Sequence, residues 1–112
     1  MAAPVGLDRA MVVEAAVDLV AEAGRVDAVS LRQIAERLGV RTQSLYAHVD
    51  GVVGVRRALA TVSLERLAVE LTDAAIGRAG PEAVAAIIRA YVRFAVDEPG
   101  LYDASLVVPG DD

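Results

Sequence analysis

Apolar residues recur at helical spacing along most of the chain, and glycine and proline mark the interruptions between these runs. The first run follows Asp8, whose side chain is suited to capping a helix, and it stops at Gly24. Its apolar positions fall on one side of a helix: Met11, Val12, Ala15, Ala16, Leu19, Val20 and Ala23. We therefore predict a first core helix over residues 8–24.

Residues 30–49 predict two short helices joined by a tight turn. Ser30 is placed as the N-cap of the first helix, and Gly39 can adopt the positive φ that ends it. The apolar stripe of this helix consists of Leu31, Ile34, Ala35 and Leu38. In the second helix only Leu45 and Val49 have core spacing. The other side chains of the second helix are expected outside the core: Thr42, Gln43, Ser44, Tyr46 and His48.

Two helices that cross steeply after a short turn need a small residue in the first helix, a glycine at the turn and an apolar residue that packs the second helix against the first. Ala35, Gly39 and Leu45 meet those needs. Such a helix-turn-helix places the start of its second helix, here near Thr42, in the major groove of DNA. The pattern also fits a plain helical hairpin, although a hairpin of that kind normally buries its second helix.

Residues 10–60 resemble the N-terminal part of TetR-family (tetracycline-repressor-like) transcriptional regulators through the segments AEAG, VSLRQIAERLGV and SLYAHV. The resemblance implies DNA contacts by Ser30, Arg32, Thr42, Gln43, Ser44, Tyr46 and His48, the last two mainly to the backbone. Family members commonly carry a phosphate-binding lysine at the start of the fourth helix. This chain has Asp50, Gly51, Val52 and Val53 there. Either Arg56 or Arg57 is a candidate replacement.

Positive charge is concentrated in the segment that predicts the helix-turn-helix, although the chain as a whole is acidic. The 112 residues carry a net charge of −5, yet residues 30–57 contain five arginines and two carboxylates, a local charge of +3. A local cationic surface is what phosphate attraction requires. Arg41, which lies in the turn, completes the predicted DNA-binding set.

After the turn at Asp50, the longest helical pattern covers residues 52–76. It has two apolar stripes, which predict burial on two sides: Val52, Val55, Leu59 and Val62, then Leu64, Leu67 and Leu71. We predict a connector helix between an N-terminal domain and a C-terminal region. In the TetR family, this connector moves when a ligand binds.

A further helix is predicted over residues 81–97, with Pro81 in its first turn and Pro99 after its end. It is expected to bury Val84, Ile87, Ile88, Tyr91, Phe94 and Ala95. The following LYDASLV resembles a short helix that lines the effector pocket in one branch of the family. The resemblance makes Tyr91, Phe94, Leu101 and Tyr102 candidate effector-binding residues, although aromatic residues at helical spacing more often pack in a core. Residues 108–112 show no pattern of further folding.

Composition favours a fragment or an obligate oligomer, because 55% hydrophobic residues and a mean hydropathy of +0.45 leave apolar surface that a small monomer cannot bury. Charges interrupt every apolar stretch, so we expect no transmembrane helix, and no signal-peptide pattern is present. The chain has no cysteine and one histidine, and its carboxylates form no paired constellation. We expect no catalytic or metal site, no cofactor and a cytoplasmic location.

The sequence thus predicts an all-α protein with a tail (residues 1–7), a helix-turn-helix domain (residues 8–50) and a connector with part of an effector-binding, dimerising region (residues 51–112). The predicted function is a one-component regulator, most simply a ligand-responsive repressor. It would bind double-stranded DNA at a palindromic operator as a homodimer and respond to a small-molecule effector. The alternative is a small helical interaction protein that pairs with a full-length regulator.

Overall fold

The computed structural model describes residues 6–106, which form six α-helices and a 3-10 turn, with no strand among them. The helices are α1 (Arg9–Ala23), α2 (Leu31–Leu38), α3 (Thr42–Leu45), α4 (Gly51–Ala75), α5 (Gly80–Asp97) and α6 (Pro99–Ser105); the 3-10 turn, Val26–Ala28, joins α1 to α2. The all-α class is confirmed. Residues 1–5 of the predicted tail and residues 108–112 lie outside the described residues.

The first two helices begin and end where the sequence predicts. The Asp8 carboxylate accepts a hydrogen bond from the Met11 backbone N–H at 2.9 Å. At the start of α2, the Gln33 N–H donates to Ser30 Oγ at 3.2 Å while the Ser30 N–H donates to Gln33 Oε1 at 2.8 Å. This reciprocal capping box satisfies two N–H groups that the helix leaves unpaired. Gly39 ends α2 with φ +70°, a conformation that glycine adopts without strain.

The N-terminal core lies where α1, α2 and α3 meet. Its fully buried large side chains are Val12, Val20, Ile34 and Leu45. Two details of the predicted α1 face are wrong, because Ala23 is exposed and Val17 is buried instead. Ala23 occupies the last turn of α1, where the chain leaves the core. The predicted platform for the two short helices is otherwise present.

Helix α4 is the longest element, at about 1.5 Å per residue roughly 37 Å of a molecule whose longest dimension is 54 Å. It packs against α1, α5 and α6, so it contacts a helix that precedes it and helices that follow it in the sequence. Val55, Leu59 and Leu67 are buried as predicted. The prediction is wrong at Leu64, which is 49% exposed, whereas the neighbouring Ser63 is fully buried.

Helix α5 presents a different face to the core from the one that its pattern predicts. Its buried residues are Ala86, Ala90 and Phe94. The exposed residues include four that are apolar and spaced by four positions, together with a tyrosine: Val84, Ile88, Val92, Val96 and Tyr91. Since α5 lies along α4, small alanines at the contact let the two backbones approach, and the larger residues point outward. The predicted burial of Val84, Ile88 and Tyr91 is therefore wrong.

The short helix α6 connects the two ends of the fold, because it packs against both α1 and α4. A Cβ atom at Gly100 would lie 2.1 Å from the Val20 carbonyl oxygen, so only glycine permits this contact with α1. The Asp103 carboxylate accepts a hydrogen bond from the Val26 N–H at 2.8 Å. On the other side, the buried Ser63 hydroxyl donates to the Leu101 carbonyl oxygen. These contacts hold the N-terminal helices on α4.

Candidate nucleic-acid interface

The second helix of the predicted helix-turn-helix is a short α-helix that continues as turns. The Ser44 N–H donates to the Arg41 carbonyl at 2.9 Å, which closes the first turn of α3. The N–H groups of His48 and Val49 both donate to the Leu45 carbonyl, at 2.9 and 3.0 Å. The chain therefore remains coiled to Val49, and the predicted start near Thr42 is confirmed.

Helix α3 contacts the core through a narrow apolar side. Leu45 is fully buried and Val49 nearly so, whereas Tyr46 is 60% exposed. The polar side chains at the start of the helix, Thr42, Gln43 and Ser44, are exposed as well. The predicted outward orientation is confirmed for these four residues, whereas His48 is half-buried. DNA contact by these residues stays a prediction.

The predicted residues at the start of α2 and in the turn are exposed too. Ser30 uses its hydroxyl in the capping box, where Oγ also lies 3.2 Å from Gln33 Oε1. Arg32 forms an ion pair with Glu36 at 3.4 Å, one helical turn away. Arg41 is the N-cap residue of α3 and forms no side-chain cap hydrogen bond. Its guanidinium side chain lies next to the exposed polar residues of α3 along the chain.

The cationic surface differs from the one that a simple charge count over residues 30–57 gives. Arg37 forms an ion pair with Glu22 of α1 at 2.7 Å, and this hydrogen-bonded contact lowers the pKa of Glu22 and raises the pKa of Arg37. Glu22 lies outside the counted segment, so the pair removes one positive charge from the predicted surface. A different arginine, Arg9 at the start of α1, lies near the end of the helix-turn-helix instead.

An open cleft of about 380 Å³ lies between the end of the helix-turn-helix and the start of α4. The residues that line it include four whose side chains can donate hydrogen bonds: Arg9, Tyr46, His48 and Arg57. Asp50 and Gly54 line it as well. The structure thus brings Tyr46 and His48, two predicted backbone-contacting residues, together with two arginines. Arg56 is not among the lining residues, and its Nε atom is buried and has no hydrogen-bond partner within residues 6–106.

Two glycines at the start of α4 lie close to residues that line the cleft. A Cβ atom at Gly54 would lie 3.1 Å from the Asp50 Cβ, so the preceding loop approaches the helix closely there. A Cβ atom at Gly51, where φ is +64°, would lie 3.8 Å from Cε1 of Tyr46. The Tyr46 ring therefore rests beside the first residue of α4 while its remaining surface faces solvent.

The four candidate effector-binding residues divide into two kinds. Phe94 and Leu101 are buried in the core. Tyr91 and Tyr102 meet edge to face, with ring centroids 5.8 Å apart and an interplanar angle of 89°. The Tyr91 hydroxyl donates to the Tyr102 hydroxyl at 3.4 Å, and this hydrogen bond raises the pKa of Tyr91. Effector binding by these residues stays a prediction.

Within residues 6–106 there is no cluster of three or more histidine, aspartate or glutamate side chains with the spacing of a metal site. In the same part of the chain, every helix is too short or too polar to span a membrane.

Arg9 is a cleft residue that is not among the DNA-binding residues predicted from the sequence. It precedes the first apolar position of α1 and belongs to no motif, and only the packing of α1 against α4 brings it to the cleft. Its single local signal is a basic side chain at the end of a helix where acidic residues are favoured by the helix dipole.

No family model matches the chain. The chain is 36% identical over 107 residues to the uncharacterized HTH-type transcriptional regulator YobS of Bacillus subtilis (strain 168), covering 96% of this chain and 56% of that protein. It is 33% identical over 114 aligned positions to the uncharacterized HTH-type transcriptional regulator Rv0681 of Mycobacterium tuberculosis, covering 100% of this chain and 52% of that protein. The chain thus spans about half the length of these curated relatives. Both names support a helix-turn-helix transcriptional regulator.

Proposed function

We propose that this chain carries the DNA-binding domain of a TetR-like one-component transcriptional regulator. In this proposal, residues 8–50 bind double-stranded DNA, with α3 in the major groove. The exposed polar start of α3, fixed through the buried Leu45 and Val49, is the observation that carries the proposal. A helix held in this way can enter a groove without losing its own core contacts.

The roles within the domain follow from side-chain chemistry. Gln43 has an amide that can pair with a base edge, and Thr42 and Ser44 have hydroxyls that can contact bases or phosphates. Tyr46 and His48 line the cleft beside α4 and contact the phosphate backbone in this proposal. Ser30, Arg32 and Arg41 contact the backbone beside the groove.

The proposed regulation is ligand-responsive repression by a cytoplasmic homodimer. A small-molecule effector would bind in the C-terminal region, near Tyr91 and Tyr102, and shift α4. Because α4 contacts both α1 and α5, its movement would change the position of the DNA-binding domain. Two domains related by two-fold symmetry about 34 Å apart would bind a palindromic operator. No catalytic role is proposed.

A titration of the chain onto duplex DNA at two salt concentrations, with its oligomeric state measured over a concentration series, tests this function. The proposal predicts binding that weakens steeply between about 50 and about 200 mM salt, because displaced counterions make phosphate contacts salt-dependent. Absence of any salt-sensitive binding would contradict it.

A second function, a helical interaction protein that pairs with a full-length regulator, is favoured by one observation. Helix α5 exposes an apolar ridge of Val84, Ile88, Val92 and Val96, and a partner could cover this ridge. The same sizing experiment separates the two functions. A stable complex with a full-length regulator, without affinity of the chain for DNA, would support the interaction protein.

A further inference from the structure

We infer that the cleft between the helix-turn-helix and α4 binds one phosphodiester of the DNA backbone, with Arg9 and Arg57 as its charged ligands. The inference rests on the proposed DNA-binding function and adds to it a specific phosphate site.

Residues with hydrogen-bond donors from three separate parts of the chain converge on the cleft. Arg9 comes from the first turn of α1, Tyr46 and His48 come from the end of the helix-turn-helix, and Arg57 comes from the second turn of α4. Guanidinium groups match the tetrahedral oxygens of a phosphate with paired N–H donors. A tyrosine hydroxyl and an imidazole add further donors that can contact the same oxygens.

Some arginines of the N-terminal domain are already engaged in ion pairs, and others are free to bind a phosphate. Arg37 is bound to Glu22 at 2.7 Å, and Arg32 is paired with Glu36 at 3.4 Å. Arg9 and Arg57, by contrast, are exposed and form no ion pair within residues 6–106. Binding a phosphate therefore breaks no existing salt bridge at this site.

Asp50 opposes the two arginines within the cleft. Asp50 is a lining residue of the same cleft, so the two arginines and one aspartate give the lining residues a formal charge of +1. Asp50 precedes α4 but forms no side-chain cap hydrogen bond. Removing its charge should therefore strengthen phosphate binding without removing a bond from the fold.

The location fits a backbone contact rather than a base contact. The cleft lies at the end of the helix-turn-helix, beyond the polar residues Thr42, Gln43 and Ser44 that face the groove in the proposed function. The major groove of DNA is bordered by phosphates on both sides. A cleft beside α3 that is lined by donor residues would therefore contact the DNA backbone when α3 lies in the groove.

The test compares the 112-residue chain with the double variant Arg9→Gln/Arg57→Gln on a short duplex of mixed sequence, because a phosphate contact does not depend on base identity. We expect the double variant to lose roughly tenfold in affinity for each arginine. Because the cleft binds one phosphate, the magnitude of the slope of log affinity against log salt should fall by about 1 for each bound chain. Arg89→Gln/Arg93→Gln, an equal loss of two positive charges at exposed positions of α5, should leave that slope unchanged.

Asp50→Asn provides an independent measurement if the double variant loses its helical circular dichroism. It should bind the same duplex roughly threefold more tightly, the size of a unit-charge interaction across several ångströms of water. Unchanged affinity in Asp50→Asn, or an unchanged salt slope in a folded double variant, would overturn the phosphate site while the wild-type chain still binds. If the wild-type chain shows no salt-sensitive binding, the proposed function itself fails.

Discussion

Helices α3 and α5 show two different rules for which side of a helix is buried. Helix α3 is mostly polar, and its two apolar residues, Leu45 and Val49, are buried as the spacing predicts. Helix α5 has apolar residues on more than one side, and its buried face carries Ala86, Ala90 and Phe94, while Val84, Ile88, Val92 and Val96 are exposed. Where apolar residues are scarce, hydrophobicity selects the inward face. Where they are abundant, the fit between two backbones selects it.

The largest expected effect compares one apolar side chain from each helix. Leu45→Ala removes a fully buried side chain and should lower the free energy of unfolding by about 2–5 kcal/mol. Ile88→Ala removes a side chain that is 57% exposed and should change the free energy by less than about 0.5 kcal/mol. Urea denaturation measures both. Equal losses would show that the two helices follow the same rule.

A second prediction tests whether small size is required at the contact of α5. Ala90→Leu should destabilise the chain by about 1–3 kcal/mol, because extra methylene groups in a packed site force side chains or backbones apart. Val92→Leu adds one carbon on the exposed ridge and is the matched control, with an expected effect near zero. If Ala90→Leu melts at the temperature of the wild-type chain, the contact is not tight.

A third prediction concerns neighbouring residues of α4 that also contradict simple hydrophobicity. Ser63→Ala removes the buried hydroxyl that donates to the Leu101 carbonyl and should cost about 1 kcal/mol. Leu64→Ala changes a half-exposed side chain of α4. It should lower the free energy of unfolding by less, although it removes more apolar volume. Thermal unfolding of the two variants ranks them. A larger loss of stability in Leu64→Ala than in Ser63→Ala would contradict the burial of the Ser63 side of α4.

The smallest expected effect is a pH dependence within the N-terminal domain. Hydrogen bonding to Arg37 lowers the pKa of Glu22 below its ordinary value in the folded chain. The stability from this pair is therefore present above the pKa that Glu22 has in the unfolded chain, and it is lost as the pH falls through the lowered folded value. The difference in melting temperature between wild type and Glu22→Gln should shrink over that acidic range. A difference that is constant with pH would contradict the pairing.

Local signals were sufficient for most of the N-terminal domain. The N-cap Ser30, the turn at Gly39 and the two core positions of α3 each depend on residues within one helical turn, so sequence alone could predict them. The same holds for the bounds of α4 and α5 to within a residue or two.

The remaining features depend on contacts between distant parts of the chain. Gly100 packs against Val20 of α1, which lies far from it in the sequence. Arg9 reaches the cleft because α1 packs against α4. The ion pair between Arg37 and Glu22 likewise removes a charge that a local count includes. No pattern within a single helix encodes these contacts. The assignment of DNA-binding and effector-binding roles to individual residues stays a prediction.

Measuring the base preference of Gln43→Ala tests most directly the claim that α3 contacts DNA bases through its exposed polar start. Wild type, Gln43→Ala and Tyr46→Phe would be compared in their selection from a randomised duplex library. We predict that Gln43→Ala loses preference at one base position in each half-site. Tyr46→Phe should weaken binding to all sequences alike, because its hydroxyl contacts the backbone. Identical selection profiles for wild type and Gln43→Ala, in folded proteins that bind DNA, would contradict the claim.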